Sequence, residues 1–389
     1  MNDTASSRWL GPAQLTALGF LALILTGTVL LTMPFSSADG TATAPMSALF
    51  TATSATTLTG LVTEDTGSHW SLAGQVIVLA LIQVGGLGIM SITSLTGMLL
   101  TGRVKLRSRY STAAEGRPIL EGGVRRTLVA TLLLTFFFEA VVAAILFIRF
   151  ATTYDMPLPR AAWEGVFHAI SAFNNAGFGL RSDSLISYNT DGWILIPLAG
   201  ALMIGGLGYP VLSELVRRAR ERVRGWLRGT PVSARRLSIT TRMTLKGTAF
   251  LVVSATLIIA VLEWRGFLAE MSTGTKWLNA FFSGVTPRTA GFNSIDYADA
   301  HPITLMVTDI YMFIGGGSAG TAGGIKITTA TVLLAAMLAE FKGRDATTVG
   351  HRTVPKSVVR QAMTVAAAGL VAVTAGVATL RICDPQFTA

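Results

Sequence analysis

The sequence predicts an all-α, polytopic membrane protein made of repeated helix–pore-loop–helix units around a central pore. Three observations lead to this fold class. Of the 389 residues, 51% are hydrophobic and only 13% are charged, whereas a soluble domain carries about 25% charged residues. Several apolar runs exceed the roughly 18 residues that cross a bilayer. Between these runs, a short helix candidate followed by a glycine-centred segment recurs three times.

The first predicted unit covers residues 1–101 and sets the pattern. An apolar span at 10–33 stops at Pro34, a short helix follows at about 45–54, and the loop around Gly60 leads into a second span at about 71–100. The first span is longer than the apolar core of a signal peptide, so we interpret it as a helix of the mature protein.

The same order of elements returns later in the chain. The second unit, 102–218, is predicted to contain spans at 127–150 and 192–216, a short helix at 161–173 and the loop around Gly177. The third unit, 219–340, is predicted to contain spans at 241–264 and 303–339, a short helix at 276–285 and the loop around Gly291. Residues 341–389 hold the first span of a fourth unit, at about 356–380. We therefore expect three complete units and a fourth that is cut after its first helix.

The spacing of the glycines is the strongest sign of repetition. The central glycines Gly60, Gly177 and Gly291 lie 117 and 114 positions apart, and a second glycine cluster begins 25, 28 and 24 positions after them. Any one of the three, taken alone, is typical of an ordinary turn in an outer loop. Three at matched offsets favour an internal repeat.

Basic residues are confined to alternate loops. The net charge is +10, but the arginines and lysines concentrate in 103–126, 217–246 and 342–360, and the intervening loops are mainly acidic. This positive-inside pattern places the basic loops in the cytoplasm, with the glycine loops opening outward. It argues against nucleic-acid binding. We interpret the basic runs as orientation signals beside membrane lipid, with docking of an acidic cytoplasmic partner as the alternative.

The glycine loops have the chemistry of a cation path. An alkali ion gives up its water only where oxygens replace it, and backbone carbonyls do this without net charge. Glycine adopts the required backbone angles at least cost, and each short helix directs the negative end of its dipole at the loop. We predict that backbone carbonyls of three filter segments bind a monovalent cation: Leu58, Thr59, Gly60; Asn175, Ala176, Gly177; Thr289, Ala290, Gly291.

Small residues interrupt the last long span of the third unit. No strand precedes them and no Gly-Lys-Ser/Thr follows, which disfavours a phosphate-binding loop. We predict an intramembrane gating loop at 315–324 that blocks or clears the path. Lys326 would repel cations or hold the closed state; the alternative is a lysine snorkelling to the interface. The predicted gate residues are Gly315, Gly316, Gly317, Ser318, Ala319, Gly320, Gly323, Gly324 and Lys326.

The sequence offers no catalytic constellation. It contains no paired carboxylates, no nucleophile triad and no cluster of metal-binding histidines, and its single cysteine, Cys383, excludes an internal disulfide. We therefore predict that the protein is not an enzyme and needs no cofactor.

Four segments resemble the Trk/Ktr/HKT superfamily of potassium transporters, most closely its bacterial KtrB/TrkH membrane subunits. They are 54–61 (SATTLTGL), 167–178 (FHAISAFNNAGF), 285–293 (VTPRTAGFN) and 314–326. The resemblance extends over essentially the whole chain from Leu10, which starts directly with the first span as the Ktr branch does.

This resemblance implies a fold, a site and partners. It implies four helix–pore-helix–helix units around one pore, one filter glycine per unit, and a gating loop at 315–324. It also implies a homodimer in the bacterial plasma membrane, regulated by a cytoplasmic nucleotide-binding ring of RCK type. It further implies that K⁺ is the substrate bound by the filter carbonyls; because some members of the superfamily use sodium, Na⁺ is the alternative ion.

Two functional hypotheses follow. The first is a subunit for potassium uptake. Because a fourth loop is absent from the 389 residues, an ion would lack a quarter of its oxygens, and the chain by itself is expected to conduct poorly. The second hypothesis is therefore a truncated, non-conducting subunit that acts only by assembling with partner subunits.

Overall fold

A computed structural model describes residues 12–88, 90, 120–229, 237–350 and 352–383. This part of the chain is mainly helical. The helices are α1 (Pro12–Thr32), α2 (Pro45–Thr57), α3 (Leu72–Gly88), α4 (Leu120–Thr153), α5 (Leu158–Phe173), α6 (Gly192–Leu207), α7 (Tyr209–Arg228), α8 (Ile239–Glu263), α9 (Thr273–Val285), α10 (Pro302–Phe313), α11 (Ile327–Phe341) and α12 (Lys356–Cys383). A small antiparallel hairpin joins β1 (Thr348–Val349) to β2 (Arg352–Thr353).

Local sequence explains where the helices begin. Helices α2, α5, α7 and α10 carry a proline in their first turn, where the missing N–H costs no helical hydrogen bond. Ser238 caps α8 by accepting from Thr241 N, and Ser272 caps α9 by accepting from Thr275 N. The end of the predicted span at 71–100 and most of the basic loop at 103–126 lie outside the described residues.

Long apolar helices account for membrane crossing. Within the described residues, three are long and apolar enough to span a bilayer by length and composition: Val129–Thr153, Ile239–Glu263 and Lys356–Cys383. Their outer faces carry large exposed apolar side chains, including Leu133 and Val261 at 66% and 78% exposure. Such faces suit contact with lipid.

One predicted span is wrong as a continuous helix. The segment 192–216 is broken between α6 and α7, which are bent by 108°. At the break, Gly208 has φ +85° and Pro210 lies in the first turn of α7. Both residues disrupt a regular helix, one by its left-handed backbone and the other by its missing N–H.

The described chain forms two compact units. The first runs to Leu202 and includes Ala290–Ser294; the second comprises Met203–Thr289 and the chain from Ile295 onward. In the first, short helix α2 packs on α1 and short helix α5 packs on α4; in the second, α9 packs on α8. The repeat boundaries at 101, 218 and 340 stay a prediction.

Candidate functional site

The three glycine segments share one backbone conformation. Gly60, Gly177 and Gly291 have φ angles of +82°, +73° and +76°. Two positions before each glycine a second residue is also left-handed, although it has a side chain. These residues are Leu58, Asn175 and Thr289, with φ of +61°, +55° and +64°. Because such angles are uncommon for residues with a Cβ, their recurrence at three matched positions is a structural repeat in itself.

The central glycines of the three segments converge within the first compact unit. A Cβ placed on Gly60 would lie 2.6 Å from Ala176 O and 3.3 Å from Gly177 Cα. A Cβ on Gly177 would lie 2.8 Å from Gly291 Cα, and one on Gly291 would lie 3.0 Å from Gly177 Cα. The backbones therefore meet with no space for a side chain on any of the three.

Hydrogen bonds hold the left-handed non-glycine residues. Leu58 is the C-cap of α2 and donates its N–H to Ser54 O. Asn175 Nδ2 donates to Leu202 O at 3.3 Å, and Thr289 Oγ1 accepts from Gly323 N at 2.7 Å. A left-handed residue costs on the order of 1–2 kcal/mol, so these contacts help to offset the strain in the segments.

A short helix ends just before each glycine segment. Helices α2, α5 and α9 end at Thr57, Phe173 and Val285, and none has a basic residue in its last turn. The partial negative charge at each C-terminus is therefore not cancelled by a neighbouring cation on the same turn. This is the arrangement that the sequence predicts around each loop.

A buried carboxylate lies behind the second segment. Glu139 of α4 is 4% exposed and accepts hydrogen bonds from Gln83 Nε2 and from Asn174 Nδ2, both at 3.2 Å. Asn174 Nδ2 also lies 3.0 Å from Gln83 Oε1. The three side chains come from α3, α4 and the end of α5, and they fix the residue directly before Asn175. The sequence places Glu139 in a predicted span and Asn174 beside a predicted filter segment, but it does not show that the two side chains meet.

The glycine pair of α3 explains how this network fits. A Cβ on Gly85 would lie 2.2 Å from Thr56 O, and a Cβ on Gly86 would lie 1.9 Å from Asn174 Oδ1. The absence of side chains at both positions lets α3 approach the ends of α2 and α5. Gly85 and Gly86 thus allow close packing of the helices.

The predicted gating loop connects α10 to α11 and is closed at its base. Ile314 and Ile325 form an isolated parallel bridge. Gly315 N donates to Ile325 O and Ile325 N donates to Phe313 O, each at 3.0 Å. The two ends of the loop are therefore tied to each other by backbone hydrogen bonds.

The loop rests on the break between α6 and α7. Gly317 N donates to Gly206 O at 2.7 Å and Thr321 N donates to Gly205 O at 3.3 Å. Tyr209 N in turn donates to Ala319 O at 3.3 Å. The last carbonyls of a helix have no partner inside the helix, and here the loop supplies the donors. The sequence analysis predicts a continuous span here; a glycine cluster that ends two positions before Pro210 is the signal for this break.

Close approach explains the glycines of the loop. A Cβ at 316 or 320 would lie 2.3 Å or 2.6 Å from Gly206 O, and one at 315 would lie 1.6 Å from Gly323 O. Ser318 Oγ bonds Thr328 Oγ1 at 3.0 Å. Lys326, at the N-cap of α11, is half-buried and donates from Nζ to Ala322 O at 2.5 Å. Its ammonium group is thus held by the loop itself.

Arg288 is a buried cation that the sequence analysis did not single out. It directly precedes Thr289, is 5% exposed, and its Nε has no hydrogen-bond partner among the described residues. A buried charge of this kind is costly unless it is compensated. Its position places a fixed positive charge next to the third glycine segment.

Comparison with known proteins identifies the family. Residues 12–387 match the family model TrkH, described as "Cation transport protein". The Ktr system potassium uptake protein B of Bacillus subtilis is 36% identical over 379 residues, covering 96% of this chain and 80% of that protein. The potassium/sodium uptake protein NtpJ of Enterococcus hirae is 35% identical, covering 91% of this chain and 76% of that protein.

A solved structure shows the same fold. The potassium transporter TrkH from Vibrio parahaemolyticus superposes with a TM-score of 0.67 at 20% identity, covering 93% of this chain and 70% of that one. This likeness confirms a mainly helical, polytopic membrane fold. The family consists of transporters, so the prediction that the protein is not an enzyme is confirmed. The described fold and these matches together show that the chain belongs to the TrkH family of cation transport proteins.

Proposed function

We propose that this protein takes up potassium across the bacterial plasma membrane along a path lined by backbone carbonyls of the three glycine segments. The observation that carries the proposal is the convergence of Gly60, Gly177 and Gly291 with matched left-handed backbones. Two relatives support the choice of ion, since one is named a potassium uptake protein and the other a potassium/sodium uptake protein. The proposed ligands are the nine carbonyls at 58–60, 175–177 and 289–291.

The chemistry favours a large, weakly hydrated cation. Carbonyl oxygens replace the hydration shell without fixing the ion by a full charge, so the ion also leaves. The dipoles of α2, α5 and α9 add negative potential at the segments. The buried Glu139 adds a further negative group behind the second segment when it is ionised. Sodium is the competing substrate.

The loop 315–324 is proposed as the gate. Its hydrogen bonds to Gly205 and Gly206 hold it in one position against the end of α6, which we call its seat. Its bond to Thr289 Oγ1 links it to the third segment. A loop held by a few backbone hydrogen bonds can leave its seat at modest cost, since each such bond is worth about 1 kcal/mol net. Lys326 is proposed to stabilise the seated loop through Ala322 O.

A homodimer regulated by a cytoplasmic ring of RCK type is the proposed assembly. One relative is named as part of a Ktr system, which agrees with a membrane subunit that works with further components. Helix α12 is exposed along nearly all of its length, with Ala362 its one buried residue, and leaves a large surface for neighbours. Crosslinking in native membranes measures the oligomer directly.

Ion binding tests the proposed carbonyl ligands. In purified protein, K⁺ and Rb⁺ are expected to raise the melting temperature relative to a large organic cation, because an ion that binds only the folded state stabilises it. Gly177→Ala is expected to abolish this rise. Gly200→Ala is the matched control, since a Cβ there meets nothing within 4 Å. An equal rise in melting temperature with K⁺ in both variants would contradict the proposal that these carbonyls bind the ion.

Measurements of growth and ion uptake distinguish an uptake subunit from a non-conducting subunit. An uptake subunit restores growth of a potassium-uptake-deficient bacterium in low potassium, and Gly177→Ala removes the rescue. A protein that inserts in the membrane, shows the ion response above and yet gives no rubidium uptake would overturn conduction by this chain alone. It would then act through assembly with partner subunits.

A further inference from the structure

Helix α7 has the form of a membrane-surface helix. It follows the break at Gly208 and turns by 108° from the apolar helix α6. A helix that leaves the end of a spanning helix at nearly a right angle runs along the bilayer plane. Its N-terminal end is buried, with Val211 and Leu212 at 2% and 6% exposure, so the helix starts anchored in the protein.

The arginines of α7 share one broad face. At 3.6 residues per turn, the apolar and the basic side chains separate onto opposite sides of the helix. The apolar face carries Leu212, Leu215, Val216, Ala219, Val223, Trp226 and Leu227. The basic face carries Arg217, Arg218, Arg220, Arg222, Arg224 and Arg228.

Acidic residues offset the charge only in the first half of α7. There Glu214 Oε1 lies 3.6 Å from Arg218 Nη2, and the same carboxylate accepts from Ser238 N at 2.9 Å and Thr241 Oγ1 at 2.6 Å. These bonds tie the first half of α7 to the start of α8. Glu221 is then the one acidic side chain in the second half, against four arginines from Arg220 to Arg228.

No described residue covers the apolar face in the second half of α7. Val223, Trp226 and Leu227 are exposed by 55%, 83% and 69%. A tryptophan beside leucine and valine, bordered by arginines, matches helices that sink one face to the level of the lipid headgroups. Long arginine side chains at the borders can then reach the phosphates above them.

We propose that α7 lies in the cytoplasmic surface of the membrane and binds anionic phospholipid headgroups through the arginines of its second half. A lipid surface accounts for both faces at once, because it offers apolar chains to Trp226 and negative charge to the arginines. An acidic protein would need a separate apolar groove to cover Trp226 and Leu227. The positive-inside pattern puts the same helix on the cytoplasmic side.

Fluorescence quenching by brominated lipids tests the proposal. The full-length protein is reconstituted in vesicles of phosphatidylcholine and phosphatidylglycerol, with the bromine atoms on one lipid or the other. The chain has seven tryptophans, so the signal of Trp226 is taken as the difference between the protein and its Trp226→Phe variant. The Trp226 signal is expected to be quenched, and more strongly by brominated phosphatidylglycerol.

Neutralising the arginines distinguishes their binding to anionic headgroups from insertion of the apolar face alone. The triple variant Arg220→Gln, Arg222→Gln, Arg224→Gln keeps helix-forming residues and is expected to lower the preference for phosphatidylglycerol by roughly fivefold for each arginine that contacts a headgroup. The control is Arg242→Gln with Lys246→Gln, which removes two exposed cations from α8 and should leave the preference intact. Equal quenching by both lipids in the unchanged protein, or no quenching of Trp226 at all, would overturn the proposal; the latter result would favour a protein partner.

Discussion

Asn174 donates a hydrogen bond from its side-chain amide to the buried carboxylate of Glu139, at 3.2 Å. The contact joins the end of short helix α5 to the long helix α4 at the residue that precedes the second glycine segment. Since Gln83 of α3 bonds to both side chains, three helices fix one point of the backbone. The conformation of Asn175 and Gly177 therefore depends on polar side chains that do not belong to the segment itself.

Removing the carboxylate should loosen the second segment. Glu139→Ala leaves the amides of Asn174 and Gln83 buried with fewer acceptors, which costs about 1–3 kcal/mol of stability. We expect the K⁺-dependent rise in melting temperature to shrink relative to the rise in Na⁺, because the segment holds its carbonyls less firmly. Glu270→Gln changes an exposed carboxylate and is the control. An unchanged ion preference in Glu139→Ala would show that the network supports the fold but not the site.

An alanine at Gly316 should displace the proposed gating loop. Its Cβ would lie 2.3 Å from Gly206 O, which is closer than a Cβ and an oxygen approach each other, so the loop must leave its seat. We expect faster modification of Ser318→Cys by a water-soluble thiol reagent, measured after Cys383→Ser has removed the native thiol. Gly376→Ala on α12, where a Cβ meets nothing within 4 Å, should leave the rate unchanged. Equal rates in both variants would contradict the seat that we describe.

Glu263 should stabilise the second compact unit. It is 1% exposed and accepts from His301 N at 2.9 Å and from Thr304 Oγ1, so it joins the end of α8 to the first turn of α10. Glu263→Ala removes acceptors from both donors, and we expect a loss of about 1–3 kcal/mol in unfolding free energy. Thermal unfolding in detergent measures it. A melting temperature as high as that of Glu270→Gln would disprove this role.

Alkaline pH should lower the stability of the fold around the end of α4, because Tyr154 loses its proton. Burial and the nearby carboxylate of Asp191 raise the pKa of Tyr154 to about 12, and the hydroxyl donates to Asp191 Oδ2 at 3.2 Å. The folded state thus retains this proton at pH values where the unfolded chain loses it. The resulting stability is present below pH 10 and is lost as pH rises from about 10 to 12. In Tyr154→Phe, the melting temperature should fall less steeply with pH over this range. An unchanged slope would show that Tyr154 is not the group responsible.

The sequence predicts much of this structure because its signals are local. Short helix α9, predicted at 276–285, is observed at Thr273–Val285. The prediction that Gly60, Gly177 and Gly291 line one path rests on their regular spacing and not on a local signal. Hydropathy does not detect the break at Gly208, since the residues adjacent to it, from Gly205 to Leu212, carry no charge. The contact of Glu139 with Asn174 joins residues 35 positions apart, and no local pattern marks such a pair.

The closed base of the loop between α10 and α11 limits what drives its movement. In the proposed opening, the bond between Gly315 and Ile325 is kept and only the residues between them shift, so the tip moves without altering the distance between the two helices. A stretch of the membrane that changes only the distance between α10 and α11 therefore does not pull on this tip. Opening should respond to ions and bound partners more than to forces that act on these two helices.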